Sequence, residues 1–431
     1  MNLNDNQNIH NKKTHDENIY DENIYDEIII GSGFAGLYWC YKNKPEKFVI
    51  LEKSDRIGGR VYNIEWNGHQ ISLGGGIIKS SNNITLKLAN ELGLGIIESI
   101  SKYHLIDLET KTENLNVPNE DNFHESNKII TKYLKKKFVK NKEQIKKNKL
   151  HWNEFLDLYL DLETSKTIKS HLLYKTYANA DIESVFEYEI DELLRTENFK
   201  TFYIKQSGYT GLLDKLVESI NMTNILTNSE VIRVIKKDKL FEIFTKQNKS
   251  YYAKKIILAT ESKTNIKFDF GEDNNCNLSN LYGMSSGSNY IRIYSYHKDG
   301  HGLKCSFRTN GLPGKVIYIN SNILMCCYTE EYQSIQLNRL LDKNSKSEQI
   351  EIIYGLLKNC SIPIKTKPDD IIIKFWQIGV HYNTIKYNKD IKIELLKKLK
   401  NSNIIVIGES VANTHGWVNS ALESVDLIDK L

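Results

Sequence analysis

Short apolar runs alternate with polar and glycine-containing segments along the whole chain. Residues 28–30, 48–51 and 404–407 form uninterrupted apolar runs, which are typical of strands buried on both faces of a parallel sheet. A stretch with helical character lies between the first two runs and directly follows a group of glycines. The order strand, glycine turn, helix, strand predicts a βαβ unit near the start of the chain.

The rest of the chain contains further strand-like and helix-like segments. Strand patterns are present at 61–72, 223–235, 240–245, 251–260, 289–296 and 371–376, and helical patterns at 84–94, about 101–200, 212–220 and 417–431. Elements that suit a nucleotide-binding sheet therefore come from the start, the middle and the end of the chain. This pattern predicts an α/β fold in which a Rossmann-type domain is interleaved with an α+β domain that carries a helical insertion.

The predicted boundaries follow from these segments. The Rossmann-type domain comprises 24–80, 203–265 and 400–431, the second domain comprises 81–202 and 266–399, and its helical part lies at about 120–200. Residues 1–23 are polar and contain a tandem DENIY repeat, which we interpret as a disordered tail.

The glycines of the first unit have the spacing that a bound dinucleotide requires. Gly31 permits a tight turn, Gly33 lets the backbone approach a pyrophosphate, and Gly36 allows close packing of helix on strand. The pyrophosphate is expected at the helix N-terminus, where unpaired N–H groups favour anions. Glu52 follows the second strand and is predicted to accept hydrogen bonds from the adenosine ribose.

Composition and charge narrow the class of protein. The chain has 431 residues and a net charge of +4, and its six cysteines include no CxxC pair. No apolar run reaches 18 residues and no secretory signal is recognisable, so we expect a cytoplasmic or otherwise intracellular protein without a transmembrane segment or metal site.

A lysine-rich stretch, Lys128 to Lys149, leaves two interpretations open. Asn127 to Leu150 holds ten Lys and one Glu, in a chain that is rich in Asn, Ile and Lys throughout. The stretch is either the solvated face of a helix or a patch that contacts nucleic acid or another polyanion.

Four separated pieces of the sequence resemble the flavin-containing amine oxidase family, which includes monoamine and polyamine oxidases. They are GSGFAG with VILEKSDRIGGRV, then Val231 to Val234 with 256–260, then WQIGVHY at 376–382, and GE with HGWVNSALE at 408–423. The resemblance implies that FAD is the cofactor. Because 379–382 contains no cysteine, it implies noncovalent FAD, with a histidyl link through His381 as the alternative.

The resemblance also implies a set of FAD contacts. Arg56 and Arg60 place guanidinium groups near the pyrophosphate, with a surface ion pair as the alternative for Arg56. Glu409 is expected to accept a bond from a ribityl hydroxyl, with helix capping as its alternative, and the N-terminus of the closing helix is expected to face the flavin. The implied cofactor-binding residues are Gly31, Gly33, Phe34, Ala35, Gly36, Glu52, Lys53, Arg56, Gly58, Gly59, Arg60, Gly75, Gly76, Val231, Gly408, Glu409, Trp417 and Val418.

The catalytic residues implied by the resemblance are Tyr382, Trp417 and Arg292. Tyr382 and Trp417 match an aromatic pair that flanks the substrate amine, and core packing is the alternative. Arg292 lies on the strand where many family members have a lysine, and arginine cannot act as a base. Glu154, Asp157 and Asp161 have helical spacing, and they form either a carboxylate stripe for a polyamine or a solvent face.

The implied reaction is oxidation of an amine. Hydride passes from the amine α-carbon to flavin N5, the iminium ion is hydrolysed to an aldehyde, and O2 reoxidises the flavin with formation of H2O2. Two other functions stay open: a flavin-binding protein with a structural or assembly role and little turnover, and a related flavoenzyme acting on a non-amine.

Overall fold

The computed structural model describes residues 24–99, 103–106, 113–114, 120–171, 175–191, 194, 200–205 and 207–431. The predicted tail at 1–23 lies outside the described residues. In chain order the strands are β1 (Ile24–Ile30), β2 (Phe48–Leu51), β3 (Asn63–Trp66), β4 (His69–Ser72), β5 (Ile78–Lys79), β6 (Ile96–Ser99), β7 (Tyr103–Ile106), β8 (Glu113–Asn114), β9 (Thr201–Ile204), β10 (Ile225–Leu226), β11 (Val231–Lys237), β12 (Leu240–Thr245), β13 (Ser250–Leu258), β14 (Lys267–Asp269), β15 (Ser285–Tyr296), β16 (Ser306–Thr309), β17 (Lys315–Tyr318), β18 (Ile323–Glu330), β19 (Asp370–Asn383) and β20 (Ile404–Val406).

Helices in the described residues connect and cover these strands. They are α1 (Phe34–Asn43), α2 (Asn83–Glu91), α3 (Glu120–Lys140), α4 (Lys142–Asn148), α5 (Trp152–Tyr159), α6 (Leu162–His171), α7 (Ile182–Val185), α8 (Tyr209–Ile220), α9 (Glu272–Gly283), α10 (Glu331–Asp342), α11 (Lys346–Asn359), α12 (Lys389–Asn401) and α13 (Val418–Asp429). No helix in this part of the chain combines the length and apolarity needed to cross a membrane.

The first sheet has the strand order β10-β2-β1-β13-β12-β11-β14, and β20 pairs with β13. Its centre is parallel: β1 pairs in parallel with both β2 and β13, and β13 with β20. Ile28 and Ile29 have no exposed surface, because the sheet is covered by helices that include α1, α8 and α13. The uninterrupted apolar runs thus form a buried parallel core, which confirms the α/β prediction.

The second sheet has the order β19-β15-β18-β17-β16-β7-β8. Alternate residues of β15 divide between its two faces. Ile291 and Ile293 belong to an apolar cluster with residues of α10 and α11, whereas Tyr290 and Arg292 face a large cavity. One face of this sheet is therefore a core face and the other is available for a ligand.

The strand β19 is longer than the sequence pattern predicts. It runs from Asp370 to Asn383 rather than over 371–376, and it pairs with β15 along its length, with a bulge between Ser288 and Tyr290. The WQIGVHY segment consequently lies within a strand. The closing helix begins at Val418, and Trp417 is its N-cap residue.

The lysine-rich stretch forms most of α3 and all of α4. Its buried residues, which include Leu134, Phe138 and Ile145, follow helical spacing and pack in an aromatic-rich cluster around Phe155. Lys135 forms an ion pair with Asp191, and Lys146 approaches Glu183 at 3.3 Å. Contact of this stretch with a polyanion stays a prediction, as do the exact domain boundaries.

Candidate active site

A cavity of about 920 Å³ extends between the two sheets. At one end it is lined by the β1–α1 turn, the end of β2 and the start of β11. At the other end it is lined by β15, β18 and β19, and the N-terminus of α13 borders it. This volume lies in the range of pockets that hold cofactors and small molecules.

The three glycines after β1 have distinct structural roles. Gly31 has a φ of +107°, and a Cβ atom there would lie 2.8 Å from the carbonyl oxygen of Ala259. A Cβ on Gly36 would lie 2.2 Å from the carbonyl oxygen of Gly31, so only glycine lets α1 pack on the strand. A Cβ on Gly33 would meet nothing within 4 Å, because Gly33 faces the cavity. No side chain caps α1 at Gly33, and the helix N-terminus is thus suited to an anion.

Glu52 is buried at the end of β2 and is held by two serines. One carboxylate oxygen accepts hydrogen bonds from the N–H and hydroxyl of Ser32, at 2.9 and 2.8 Å. The other accepts from the N–H and hydroxyl of Ser54, at 2.9 and 2.7 Å. All four acceptor positions of the carboxylate are used. Because serine hydroxyls can rotate to another acceptor, a ribose hydroxyl can take the place of a serine hydroxyl. The sequence predicted Glu52 but neither serine.

Arg56 supports the backbone of the loop that contains Gly58 and Gly59. Its guanidinium donates to the carbonyls of Ile57 and Val61, both at 3.1 Å, and of Gly59 at 2.6 Å. It also lies over the Tyr62 ring, 4.2 Å from the centroid, and burial lowers its pKa. Within the described residues Arg56 is thus bound to carbonyls rather than to the surface carboxylate considered as its alternative.

Glu409 is the centre of a buried polar cluster at the middle of the cavity. Its carboxylate accepts from the N–H of His381 at 3.1 Å, from Nδ1 of His381 at 2.8 Å and from the N–H of Gly416, and it forms an ion pair with Arg60. Since a carboxylate only accepts, Nδ1 of His381 carries the hydrogen. These contacts connect β19, the loop after β20 and the glycine-rich loop that contains Arg60.

Electrostatics in this cluster favour an ionised Glu409. Burial by itself raises the pKa of Glu409, but the Arg60 guanidinium and the contacts with His381 hold the pKa well below its ordinary value of 4.5. Burial lowers the pKa of the neighbouring His415 to about 3, so His415 is neutral at physiological pH. The cluster therefore places one negative charge, paired with Arg60, in the cavity wall.

The model of the family described as flavin containing amine oxidoreductase matches residues 42–424 of the chain. The chain belongs to the flavin-containing amine oxidoreductases. Solved structures of putrescine oxidase are similar to it: the wild-type enzyme bound to putrescine and a double mutant from a redesign of cofactor binding. Both have a TM-score of 0.70 and 13% identity, and the match covers 94% of this chain and 98% or 99% of theirs, respectively. That likeness shows the fold, and no curated protein sequence matches the chain.

The residues around the cavity fit FAD, the cofactor of this amine oxidoreductase. Several buried polar atoms of cavity-lining residues have no hydrogen-bond partner, among them Nε2 of His381, Oγ of Ser410 and Nδ1 of His415, although such atoms are normally satisfied. Every residue predicted to bind the cofactor except Gly36 lines the cavity, and Gly36 instead packs α1 against β1. The direct contacts of these residues with FAD stay a prediction.

The predicted catalytic residues are not all brought together. Trp417 lines the cavity, and the Lys79 ammonium lies 4.5 Å from its ring centroid. Tyr382 is absent from the described cavity lining and packs against the helical cluster, because it follows His381 on β19 and successive side chains point to opposite faces. Arg292 lines the cavity, and its Nη1 donates to the carbonyls of Ser72, at 3.1 Å, and Gly74.

Other aromatic residues line the end of the cavity that β15, β18 and β19 form. Tyr290, Tyr328 and Trp376 face the cavity, and the Trp376 indole donates to the Leu73 carbonyl at 2.7 Å. Alternation along the strand could have indicated Tyr290, but the position of Tyr328 depends on strand pairing.

The acidic residues considered for a polyamine lie elsewhere. Glu154 accepts from the His151 N–H at 2.8 Å, Asp157 pairs with Lys169 at 2.5 Å, and Asp161 accepts from the Thr164 N–H at 2.9 Å. They support local helix structure and do not line the cavity.

Proposed function

We propose that this flavin-dependent enzyme oxidises an amine at the carbon next to the nitrogen and passes the electrons to O2, releasing an aldehyde and H2O2. The observation that carries the proposal is the continuity of the cavity. One wall has the dinucleotide features at Gly33 and Glu52, and the other has the aromatic residues Tyr290, Trp376 and Trp417.

Groups of the protein are suited to three parts of the cofactor: its pyrophosphate, its adenosine ribose and its flavin ring. The N-terminus of α1 would hold the pyrophosphate, and Glu52 would hold the adenosine ribose. No side chain caps α13 at Trp417, so its first N–H groups and its positive end are suited to an electron-rich ring edge. When bound, the flavin supplies the acceptor for the two electrons and the hydrogen that leave the amine carbon.

The protein side chains orient the substrate and exclude water. Tyr290 is held by a hydrogen bond of 2.8 Å from its hydroxyl to Glu330, and the bond to Leu73 fixes the Trp376 ring. Aromatic faces attract a partly cationic nitrogen, and rings with fixed orientation lose little entropy when substrate binds. The Lys79 ammonium lies over the Trp417 ring, 4.5 Å from its centroid, so one face of this ring is already in contact with a cation of the protein.

Absorbance spectroscopy and anaerobic reduction test the proposal. The purified protein is expected to show a flavin spectrum, to release the flavin on denaturation, and to lose its colour when an amine is added without oxygen. A panel of monoamines, diamines, polyamines and amino acids, followed by a peroxide assay, identifies the substrate class. If no amine reduces the flavin, the amine oxidase function is wrong, and a structural flavoprotein or a non-amine flavoenzyme takes its place.

A matched pair of glycine variants separates loss of cofactor from loss of fold. Gly33→Val places a side chain in the cavity. A Cβ at position 33 would have no protein atom within 4 Å, and the φ of Gly33 is −74°, which any residue can adopt. The variant is expected to fold but not to hold FAD. Gly355→Ala, also without a neighbour within 4 Å, is the control and is expected to retain FAD.

A further inference from the structure

Basic residues form a continuous row across the second sheet. Arg292 on β15 is directly opposite Lys374 on β19 and Tyr328 on β18. Tyr328 is in turn opposite Lys315 on β17, which is opposite Arg308 on β16. Directly opposite residues of neighbouring strands project from the same face of a sheet. We call Lys374, Arg292, Lys315 and Arg308, together with Tyr328, the cationic row.

The cationic row begins on the cavity wall. Lys374, Arg292 and Tyr328 line the cavity, and Lys315 and Arg308 continue the row beyond Tyr328. The Arg292 guanidinium carbon lies 4.8 Å and the Lys315 ammonium 5.0 Å from the Tyr328 ring centroid. The Lys374 ammonium lies 4.5 Å from the centroid of the Trp376 ring. Arg292, Lys315 and Lys374 thus each lie against an aromatic face.

The charged residues that line the cavity at the end formed by β15 and β19 are all basic among those described. The cavity-lining residues contributed by β4, β15, β17, β18 and β19 include Arg292 and Lys374, and no Asp or Glu is present among those described. Like charges that face each other across strands are destabilising, so this arrangement favours a bound anion.

Among the described residues, the carboxylate of Glu330 acts on the far part of the row. Burial and the nearby Arg308 lower the pKa of Lys315 to about 7, and Glu330 only partly opposes this. The Glu330 carboxylate already accepts hydrogen bonds from the N–H and hydroxyl of Thr176, at 3.1 and 2.7 Å, and from the Tyr290 hydroxyl at 2.8 Å. Glu330 therefore compensates part of the positive charge while it positions the cavity wall.

We propose that the cationic row binds a carboxylate of the substrate, so that the amine oxidised by this enzyme is an amino acid and not a diamine. The inference rests on the proposed function for the amine end of the substrate, and on the row alone for the anionic end. Two backbone carbonyls fix the Arg292 guanidinium, and a fixed guanidinium is well suited to a carboxylate. The second ammonium of a diamine would instead face Arg292 and Lys374.

Calorimetric titration of the FAD-loaded protein with amine-free carboxylates tests the anionic end without turnover. Linear carboxylates of two to six carbons are compared with alcohols of the same length. At least one carboxylate is expected to bind saturably and about tenfold or more tightly than its alcohol, because a hydrogen bond between two charged groups is stronger than one to a neutral hydroxyl. The proposal is wrong if no carboxylate binds better than the alcohol.

Substitution of Lys374 connects this binding to the row. No hydrogen bond or ion pair of Lys374 is present among the described contacts, so Lys374→Met is expected to fold. It should weaken carboxylate binding about tenfold, and Lys374→Arg should restore it. Lys397→Met removes the same charge from an exposed position on α12 and is expected to leave binding unchanged. Equal weakening in both Met variants would mean that net charge, and not the row, binds the anion.

Turnover then separates this inference from the proposed function. Linear amino acids with a terminal amine are compared with alkylamines and diamines of equal length for the rate of anaerobic flavin reduction. The amino acid is expected to reduce the flavin with the highest second-order rate constant and the diamine with the lowest. If diamines react best, the inference is overturned and the oxidase function stands. If carboxylates bind through Lys374 but no amine reduces the flavin, the anion site is supported and the oxidase function fails.

Discussion

Replacement of Glu409 by Gln perturbs the only negative charge of the polar cluster around Arg60, His381 and Gly416 in the described residues. The amide oxygen of Gln can still accept from the N–H groups of His381 and Gly416. The amide nitrogen then takes the position of the other carboxylate oxygen, where it faces two donors, Arg60 and Nδ1 of His381. The variant thus loses two charge-assisted hydrogen bonds and gains two donor–donor contacts.

The expected magnitude follows from burial of the two partners. Loss of one member of a buried ion pair costs about 3–5 kcal/mol. The Arg60 side chain is 36% exposed, so water screens its share, whereas His381 has no exposed surface. We therefore expect Glu409→Gln to lower the free energy of unfolding at pH 7 by about 2–4 kcal/mol.

Denaturant unfolding as a function of pH checks both the size and the cause of this effect. The folded-state pKa of Glu409 lies well below the ordinary value of 4.5, so its stabilisation is fully present above pH 4.5 and is lost as the pH falls below it. The difference between wild type and variant should shrink by about 1.4 kcal/mol per pH unit below 4.5. Glu394→Gln, at an exposed helix position, is the control. A difference that does not change between pH 7 and 3.5 would refute the electrostatic explanation.

Three further variants have defined outcomes. Gly36→Ala is expected to lower the free energy of unfolding by at least about 1–3 kcal/mol, and so to lower the Tm, because its Cβ would lie 2.2 Å from the carbonyl oxygen of Gly31. Thermal unfolding followed by circular dichroism, with Gly355→Ala as the control, measures this change. Glu52→Gln should weaken FAD binding about tenfold in a flavin-fluorescence titration, since the amide replaces an acceptor by a donor. Burial lowers the pKa of His297 to about 4, so the unfolded chain binds a proton at higher pH than the folded protein does. The wild type should therefore lose stability in urea unfolding as the pH falls from about 6.5 to 4, and His297→Gln should not show this loss.

The elements that the sequence predicts well are those whose causes are local. The strand–glycine–helix unit at 24–51 and the different roles of Gly31, Gly33 and Gly36 follow from spacing and backbone sterics, and the structure shows the same order. The position of Glu52 follows from the end of the strand in the same way. Its binding to Ser32 and Ser54 does not, because serines in turns have many alternative partners.

Residues whose surroundings come from distant strands were less predictable. Tyr382 and His381 are neighbours on β19, and only the pairing with β15 determines which of them faces Glu409. A shift of the register by one residue would exchange the two faces. Arg56 carries no sequence signal for binding carbonyls, since that depends on the final shape of its own loop.

The charged residues that line the cavity are likewise positioned either by their own chain segment or by the pairing of distant strands. The cofactor end holds Glu52, placed by its own βαβ unit, whereas separate strands bring Arg292 and Lys374 into register at the end formed by β15 and β19. Glu409 and Arg60 lie between these ends as a paired charge. Among the described lining residues, the end formed by β15, β18 and β19 has basic but no acidic residues, whereas the cofactor end has both. Under the proposed function, we expect the register of β15 and β19, which brings Arg292 and Lys374 together, to select the amine.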